Sequence, residues 1–593
     1  MQRATGAVLA PGGAEALTTA WNWVPLANRL WTLLLILILT FLVIYPMSML
    51  LLGAITNTNP VVDGFGAFDL SLDNFLTVLA NPNVHLAVFN SLVVCTGGTA
   101  VAVGIGLTFS WIVVRTNTPC KGLIAAASMI PLFVPPLVAA VAWAILASPK
   151  TGILNTLMNA MGIGYRFNFY SMSGMIAVFG MYYAPYVYMF TASALKNMDP
   201  ALEEAAEVSG VSATRTMFTI TFPLIAPAII SGMLLSFIVM LGIYGIPAVL
   251  GAPANIGVLP PSILTLTAWT PPLHRTAAAV AIILMVVTAA LVVVQQKVLS
   301  GRSYTTVGGK AFRPRELDLG RWRYLTLGLA LVYLVVVVIV PTLALLVAGF
   351  RKFLFIRTVA NLFDEKAYSL IHFGRLFTIP LTMRSIVNTM EVGFVTAVMG
   401  GILAFAIGYT VNRTTLTGRR TIDVLATLPV AVPGLVVGVA YLWAWIGLPG
   451  GLYGTIWILA LAFVARFMPD TVKALSTSLM QIHKDLEEAS WVCGVGLLAT
   501  IRRVVLPIAR PGVIAAMTLL FILAMRELGS SLFLYSSETM VMAVLLLDYY
   551  EGGNVGITAA FSLVQMVLLA VLIGVAQAVG RNLGGETGIG RAG

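Results

Sequence analysis

One polar segment occurs twice in this chain. Residues 199–223 read DPALEEAAEVSGVSATRTMFTITFP, and residues 483–507 read HKDLEEASWVCGVGLLATIRRVVLP. In both copies a glycine lies six positions after a glutamate, a β-branched residue ten positions after that glycine, and a proline three positions later. Apolar segments resemble one another through composition alone, so a polar pattern that recurs with unchanged spacing is far more informative. The repeat indicates a chain built from two related halves.

The composition places the chain in a lipid bilayer. Of its 593 residues, 59% are hydrophobic and only 10% are charged, whereas about a quarter of the residues in a typical soluble protein are charged. Apolar runs of bilayer-spanning length recur along the whole chain, and they are too long for the strands of an outer-membrane barrel. The sequence predicts an all-α fold, a polytopic membrane helical bundle with about twelve transmembrane helices at residues 31–54, 86–113, 121–147, 172–195, 223–246, 276–299, 323–349, 386–411, 422–447, 452–475, 511–534 and 558–580.

The spacing of the repeat divides the chain into domains. From Asn90 to Pro131 is 41 residues, and from Asn388 to Pro429 is also 41, so this part repeats at an offset of 298. The polar segment repeats at 284, which places 14 extra residues of the first half within 148–171. Each half holds about six spans in the same order, so the halves are parallel copies related by an axis along the membrane normal. The predicted parts are an N-terminal tail at 1–30, a first repeat at 31–299, a linker at 300–322, a second repeat at 323–580 and a C-terminal tail at 581–593.

The distribution of positive charge predicts the orientation. The net charge is +11, and the Lys and Arg residues concentrate in the linker and in short loops on its side, whereas residues 55–85 and 448–451 contain none. Because cytoplasmic loops carry the excess of Lys and Arg, both tails and the linker are expected in the cytoplasm. Residues 350–385 are an exception, since they hold six Lys or Arg residues on the expected outer side. Membrane lipid is therefore an expected partner, and nucleic acid is not.

The repeated segment predicts a short helix with an acidic start. Asp199 followed by Pro200 is typical of a helix beginning, and Asp485 with Glu488 resembles a capping box. Gly210 can take the left-handed conformation that ends a helix, as can its counterpart in the second copy. Such a rigid helix, with alanines that allow close approach, suits docking into the groove of a partner. The alternative is an amphipathic connector that only covers the end of the bundle.

The pattern Glu-Ala-Ala, then Gly, then Ile-x-φ-Pro resembles the EAA loop of type I (MetI-like) ABC importer permeases, in the fused two-repeat form. The copies depart from that pattern only at Phe222, Ser490 and Val504. The resemblance implies two separate ATP-binding subunits, a periplasmic or extracellular substrate-binding protein, and transport by alternating access. It also implies that the residues that couple the chain to the ATPase subunits are Glu204, Ala205, Ala206, Gly210, Glu488, Ala489, Ser490 and Gly494.

No ATPase site is expected in the chain itself. It lacks the G-x-x-x-x-G-K-[ST] phosphate loop, and Gly308-Gly309-Lys310 does not have the required spacing. Neither a nucleophile–base set nor a metal-ligand spacing is present, and the three cysteines form no pairing pattern. The chain is therefore predicted to be a transport subunit and not an enzyme, without a cofactor or metal site of its own, while ATP is used by its partners.

The cargo is suggested by two further segments. The run YGIPAVLGAP at 244–253 and the residues Arg526-Glu527-Leu528-Gly529 resemble segments of ferric-iron importers, which implies ferric iron as the substrate. Thiamine, polyamine and aminoalkylphosphonate importers share much of this pattern and remain alternatives. The acidic residue that often precedes Gly-x-Pro in such permeases is absent here, where the chain reads Leu241-Gly242-Ile243.

Charged residues in or near the membrane are costly and tend to mark a pathway. Arg526 and Glu527, together with Tyr244, are therefore predicted to line the substrate pathway; the alternative for the first two is a local structural pair at a helix end. Arg466, near Asp470, is expected to be structural. An ion-coupled secondary transporter is the competing class of function. It would need intramembrane acids or histidines, but the four histidines all fall in predicted loops.

Overall fold

The computed structural model describes residues 28–57, 69–268, 270–271, 273–300, 316–356, 358–446 and 451–582. Nearly all of the predicted N-terminal tail, most of the linker and most of the C-terminal tail lie outside the described residues. The described part is helical, and its β pairing consists of three isolated bridges. The predicted all-α membrane bundle is confirmed.

Twelve membrane-length elements account for the bundle. Nine described helices are long and apolar enough to cross a membrane, and two bent helix pairs meet the same standard when each pair is counted together. One further helix, span 10, has 25 residues but does not meet this standard, because it carries the charged residues Arg466, Asp470 and Lys473. In chain order, spans 1 to 12 are Asn28–Ala54, Pro82–Arg115, Lys121–Phe133 with Pro136–Ala147, Met172–Asn197, Ala213–Leu241, His274–Val298, Trp322–Phe350, Pro380–Arg413, Arg419–Ala431 with Gly434–Trp445, Ile456–Met480, Leu497–Met525 and Val555–Ala578.

Shorter helices occupy the connections. Two of them follow spans 4 and 10, and we name Ala201–Val208 the first acidic helix and Asp485–Val492 the second acidic helix. The remaining short helices of six or more residues are Asp73–Ala80, Ile153–Ala160, Gly245–Leu250, Leu259–Ala268, Ile371–Thr378 and Met542–Glu551.

Spans 3 and 9 are broken in the middle, although the sequence predicted continuous helices. Span 3 bends by 98° and span 9 by 112°. In each, a 3-10 turn is followed by a residue with extended backbone, Val134 or Val432, and then by Pro135 or Pro433. A proline disfavours the helical conformation of the residue before it and has no N–H to donate, so the chain leaves the helix and starts a new one.

Spans 5 and 11 begin earlier and end earlier than predicted. The prediction was 223–246 and 511–534, whereas the helices are Ala213–Leu241 and Leu497–Met525. Arg502 and Arg503 lie in the first turns of span 11. They lower the mean hydropathy there, so the predicted span began after them although the helix includes them. The residues after Leu241 and Met525 therefore lie beyond the ends of these spans.

The bounds of the helices repeat at the two offsets. Adding 298 to the bounds of span 2, Pro82–Arg115, gives those of span 8, Pro380–Arg413. Adding 284 to the bounds of span 5 gives those of span 11, and the two acidic helices obey the same offset. The 14 extra residues lie between spans 3 and 4, where the first half has the helix Ile153–Ala160. The two-repeat organisation is confirmed.

In the basic loop at 350–385, which departs from the charge pattern, Arg351 and Lys352 make contacts within the loop. Arg351 is buried; its guanidinium donates to the Asn361 carbonyl and lies 5.4 Å from the centre of the Tyr368 ring. Lys352 donates to the carbonyl of Lys366 at 3.0 Å. Because Arg351 and Lys352 stabilise the loop itself, the count of Lys and Arg residues in this loop is a poor indicator of which side of the membrane it faces.

Candidate functional site

The two acidic helices end in the same way. Gly210 and Gly494 each have φ +78°, the left-handed conformation predicted for them. Around Gly210, the glycine N–H donates to the Glu207 carbonyl at 2.8 Å and the next N–H donates to the Ala206 carbonyl at 3.0 Å. The same two bonds occur around Gly494. This pattern ends each helix sharply and turns the chain into span 5 or span 11.

The two helices begin differently. The Asp199 carboxylate accepts a hydrogen bond from the Ala201 N–H at 2.9 Å, but the helix starts one residue later than predicted, so Pro200 and not Asp199 takes the capping position. The predicted capping box of Asp485 with Glu488 is wrong. Asp485 already belongs to the first turn, and the capping position is taken by Lys484, whose side chain has no acceptor and makes no capping bond.

A buried arginine anchors the first acidic helix to the bundle. Arg115, the last residue of span 2, is 1% exposed, and its Nε lies 3.4 Å from Glu203 Oε2. The other oxygen of this carboxylate accepts a hydrogen bond from the Thr221 hydroxyl at 2.7 Å. Glu203 therefore joins the acidic helix to the end of span 2 and to the start of span 5.

The second half repeats the anchor with different supporting residues. Arg413, the last residue of span 8, lies 3.4 Å from Glu487 Oε1, and both side chains are at most 4% exposed. The Tyr409 hydroxyl donates to Glu487 Oε2 at 2.8 Å. The Arg413 guanidinium also donates to the carbonyls of Leu479 and Ile482, which close the end of span 10.

Sequence reasoning missed these arginines as site residues. Arg115 and Arg413 contributed only to the charge asymmetry of the loops. Their signal was present, since each lies 25 positions after the asparagine that marks the repeat, Asn90 or Asn388. A cation that repeats at the offset of the fold indicates a structural role in both halves.

The predicted coupling residues divide into an outer and an inner set. The inner set is Ala206, which is buried against the bundle, and Ser490, whose hydroxyl lies 2.9 Å from that of Thr500. Around the outer set, apolar side chains are also exposed, among them Val208 at 90% and Val492 at 89%. The outer, exposed set consists of Glu204, Ala205, Gly210, Glu488, Ala489 and Gly494.

The closing glycine gives a stability prediction. Gly494→Ala is expected to lower the free energy of unfolding by about 1–2 kcal/mol, because a residue with a Cβ is strained in the left-handed conformation. The surrounding space is open, so steric contact plays no part. The measurement is thermal unfolding of the purified protein in detergent. Gly328→Ala in span 7, which also meets open space, is the control and should not destabilise; equal losses in the two variants would contradict the prediction.

The predicted pathway residues Arg526 and Glu527 follow the end of span 11. Glu527 is 6% exposed and forms an ion pair with Arg466 of span 10, the residue expected to be structural. Its Oε1 also accepts hydrogen bonds from the N–H and the hydroxyl of Ser530, both at 3.0 Å. Arg526 instead donates to the carbonyl of Leu132, in the break of span 3. We refer to Arg466, Arg526 and Glu527 as the central cluster.

The central cluster lies where the two halves meet. Arg526 belongs to the second half and Leu132 to the first. Near it, a Cβ on Gly242, after span 5, would lie 3.0 Å from Pro433 Cβ in the break of span 9. The Arg466 guanidinium fills the place that a side chain on Gly434 would occupy. Both broken spans therefore bend around the boundary between the halves.

The third predicted pathway residue has other neighbours. Tyr244 is buried at the start of Gly245–Leu250, and its charged neighbour is Glu551. Burial, with the adjacent Asp548, raises the pKa of Glu551. Residues 548–551 form the last turn of the helix Met542–Glu551. Arg526 and Glu527 thus have their partners in the central cluster, whereas the charged neighbour of Tyr244 is Glu551.

Comparison with known proteins agrees with this architecture. The family described as "Binding-protein-dependent transport system inner membrane component" matches residues 98–303 and 397–584, once in each half. The ferric transport system permease protein FbpB of Actinobacillus pleuropneumoniae is 25% identical over 542 residues, which cover 91% of this chain and 76% of that protein. The putative ferric transport system permease protein FbpB 1 of Haemophilus influenzae is 24% identical over 517 residues, which cover 86% of this chain and 78% of that protein.

A shorter relative matches one part of the chain. The probable sulfate transport system permease protein cysT of Helicosporidium sp. subsp. Simulium jonesii is 28% identical over 214 residues, covering 33% of this chain and 78% of that protein. The family match spans more than half of the chain and falls on both repeats. The chain belongs to the inner membrane components of binding-protein-dependent transport systems, and it is a multi-pass ABC importer permease.

Proposed function

We propose that this permease imports ferric iron across the bacterial inner membrane. Two relatives that align with 91% and 86% of the chain are named as ferric transport permeases, whereas the sulfate permease aligns with 33%. The central cluster lies at the boundary between the halves, and charged side chains inside a membrane bundle tend to mark a pathway.

The observation that carries the proposed mechanism is the pair of acidic helices. They have equivalent bounds, the same glycine ending and an anchor each in which a buried arginine faces a glutamate. We propose that each docks into one ATP-binding subunit, so that the permease engages two. The exposed acids and apolar side chains form the docking surface, while Ala206 and Ser490 contact the rest of the permease on the opposite side of each helix.

Rigid anchoring suits the transmission of movement. When ATP draws the two motor subunits together, each acidic helix moves the spans to which its Arg–Glu pair joins it, and the halves rotate about their boundary. Alternating access follows from this movement, with a substrate-binding protein delivering iron on the outer side. ATP is bound by the partner subunits in this scheme, and the permease contributes docking and the pathway.

We propose that both termini and the linker lie in the cytoplasm. The end of the linker packs on the face where span 2 ends, because Asn117 donates to Asp318 at 2.6 Å and Thr118 lies 2.7 Å from Thr326. A reporter inserted after Lys310 is expected to show cytoplasmic activity only. The control is the same reporter inserted at residue 365, in the loop before span 8; reporter activity in the opposite compartments would overturn the orientation.

The cargo is tested with the complete transporter in proteoliposomes. The permease is reconstituted with its ATP-binding subunits and its binding protein, and uptake of radioactive ferric iron is measured with and without ATP. ATP-dependent uptake that an excess of thiamine, polyamine or 2-aminoethylphosphonate does not reduce is the expected result. Uptake of one of those compounds instead of iron would overturn the cargo, and uptake that follows an ion gradient without ATP would overturn the ABC mechanism for this chain.

A further inference from the structure

Spans 1 and 7, the first spans of the two halves, are interrupted at equivalent positions. Each contains a π-helical turn, Thr40–Ile44 or Val335–Ile339, and adding 295 to the bounds of the first turn gives those of the second. A proline follows each turn, Pro46 or Pro341. Proline has no N–H, so the carbonyl four positions earlier loses its helical donor. Inside a bilayer, that carbonyl needs a hydrogen bond from another element.

A tyrosine of the opposite half supplies the missing donor in both spans. The Leu42 carbonyl, four positions before the proline of span 1, accepts from the Tyr441 hydroxyl of span 9 at 2.8 Å. The Val337 carbonyl, four positions before the proline of span 7, accepts from the Tyr182 hydroxyl of span 4 at 2.9 Å. The Tyr441 hydroxyl also lies 3.2 Å from the Leu461 carbonyl. Both tyrosines are at most 5% exposed, so the two bonds lie inside the bundle.

The two donors come from unrelated positions of the repeat. At the offset of 298 the counterpart of Tyr441 is Trp143, and at the offset of 284 the counterpart of Tyr182 is Arg466. The acceptors are therefore equivalent in the two halves, whereas the donors are not. A bond that is made twice with different donors is not simply inherited from the duplication, which indicates that the bond itself has a role in each half.

Further hydrogen bonds attach spans 1 and 7 to the opposite half. Tyr45 of span 1 donates to the Ala444 carbonyl of span 9 at 2.9 Å. Tyr333 of span 7 donates to the Met181 carbonyl of span 4 at 2.8 Å. Among the described residues, every side-chain hydrogen bond that joins span 1 or span 7 to another span crosses to the opposite half.

Contacts within each half are of another kind. Spans 1 and 7 pack against the last spans of their own halves, spans 6 and 12, and in the part of the chain that the structure describes no side-chain hydrogen bond crosses these contacts. A Cβ on Gly349 of span 7 would lie 3.3 Å from the backbone of Ala560 in span 12. Packed helices without such bonds can slide along each other in small steps, whereas hydrogen bonds hold two helices in one register.

We propose that Tyr441 and Tyr182 are positioning residues of the transport cycle. Each keeps the first span of one half fixed to the opposite half, so that span 1 moves with the second half and span 7 moves with the first. When the halves move for alternating access, sliding then takes place between spans 1 and 6 and between spans 7 and 12. The proposal rests on the alternating access proposed above and not on the identity of the cargo.

Cross-links on span 7 test which neighbour it moves with. In a complete transporter whose native cysteines are replaced by serine, one variant carries Phe109→Cys with Tyr333→Cys, whose rings lie 4.9 Å apart across the halves, and another carries Gly349→Cys with Ala560→Cys. A short reducible thiol reagent links each pair, and ATP hydrolysis stimulated by the binding protein is measured before linking, after linking and after reduction. The first link is expected to leave stimulated hydrolysis near its starting rate, and the second to abolish it until the link is reduced. Stimulation that is lost in the first link or kept in the second would overturn the proposal.

Two variants test the hydroxyl of Tyr182 in the same transporter. Tyr182→Phe removes only the donor and is expected to lower the cargo taken up per ATP about fivefold, the change in an equilibrium constant expected from one hydrogen bond. It should also lower the midpoint of thermal unfolding. Tyr182→Phe with Pro341→Ala returns an N–H to span 7, so the midpoint should recover while uptake per ATP stays low, because the bond between the halves is still missing.

The control is Tyr188→Phe, the same change in span 4 at a tyrosine whose hydroxyl makes no hydrogen bond with the described residues; both readings should stay at wild-type values. Full uptake per ATP in Tyr182→Phe, or its recovery in the double variant, would show that the hydroxyl serves stability alone and would overturn the positioning role. Stimulated hydrolysis does not depend on which cargo is carried, so an error in the ferric cargo leaves the cross-link test in force.

Discussion

Reversing the charge of both exposed acids, Glu204→Lys with Glu488→Lys, is expected to abolish uptake while the permease remains in the membrane. Each glutamate is exposed beside apolar side chains on an acidic helix, so its carboxylate is available to a cationic group of an ATP-binding subunit. Losing one partner of a close interfacial charge pair costs about 2–5 kcal/mol, and a lysine adds repulsion. Two such losses in one molecule remove docking at both motor subunits.

The measurement is ATP-dependent uptake, together with the amount of permease in the membrane and its co-purification with the ATP-binding subunits. Glu365→Lys reverses an exposed acid in the loop before span 8 and serves as the control. Uptake at the wild-type rate in the double variant would show that the acidic helices do not couple this permease to its motor. Each single variant is expected to retain one docked subunit and an intermediate affinity for the motor.

Removing the buried cation of the second anchor, Arg413→Met, is expected to destabilise the fold by about 3–5 kcal/mol, because the partner carboxylate stays buried without its counter-charge. Arg413 and Glu487 are 3% and 4% exposed, so water cannot solvate the remaining charge. The guanidinium bonds to the end of span 10 are lost as well. The measurement is the midpoint of thermal unfolding in detergent.

Two further variants make this result specific. Lys121→Met breaks the ion pair with Glu316, whose side chain is 54% exposed, and a pair in that setting contributes about 0–1 kcal/mol. Arg413→Met with Glu487→Leu removes both buried charges and is expected to recover a large part of the lost stability. If Arg413→Met shifts the midpoint no further than Lys121→Met, the buried pair does not hold the acidic helix.

The repeat made much of the fold predictable from sequence. Apolar runs of spanning length located the helices, and the two offsets, 298 and 284, fixed which helices correspond. Gly210 and Gly494 take the conformation that their positions required, because a glycine after an acidic helical segment is a local signal. The bends of spans 3 and 9 depend on local chemistry too, because Pro135 and Pro433 lie at them. Hydropathy averages over such a break and therefore predicted continuous helices.

The interactions of the site were harder to predict because they join distant parts of the chain. Arg466 and Glu527 are 61 residues apart, and Arg526 and Leu132 are 394 apart, and no periodic spacing connects such pairs. A sequence shows that a charged residue lies in an apolar region, and this identified Arg526 and Glu527. Which partner neutralises each charge depends on how the spans pack, so Arg466 was placed near Asp470 although it pairs with Glu527, and the arginine anchors were missed.

The covalent fusion of the two halves has a consequence for the axis between them. In a transporter made of two identical subunits, a charged residue at the boundary between the halves occurs twice, so an arginine at the position of Arg466 would be matched by a second arginine across the boundary. Like charges repel strongly where little water screens them. Here the equivalent position is Tyr182, and no such repulsion arises. Because two diverged copies are joined in one polypeptide, a charge near the centre of this two-fold arrangement can be present once. In a homodimer the same charge would be present twice.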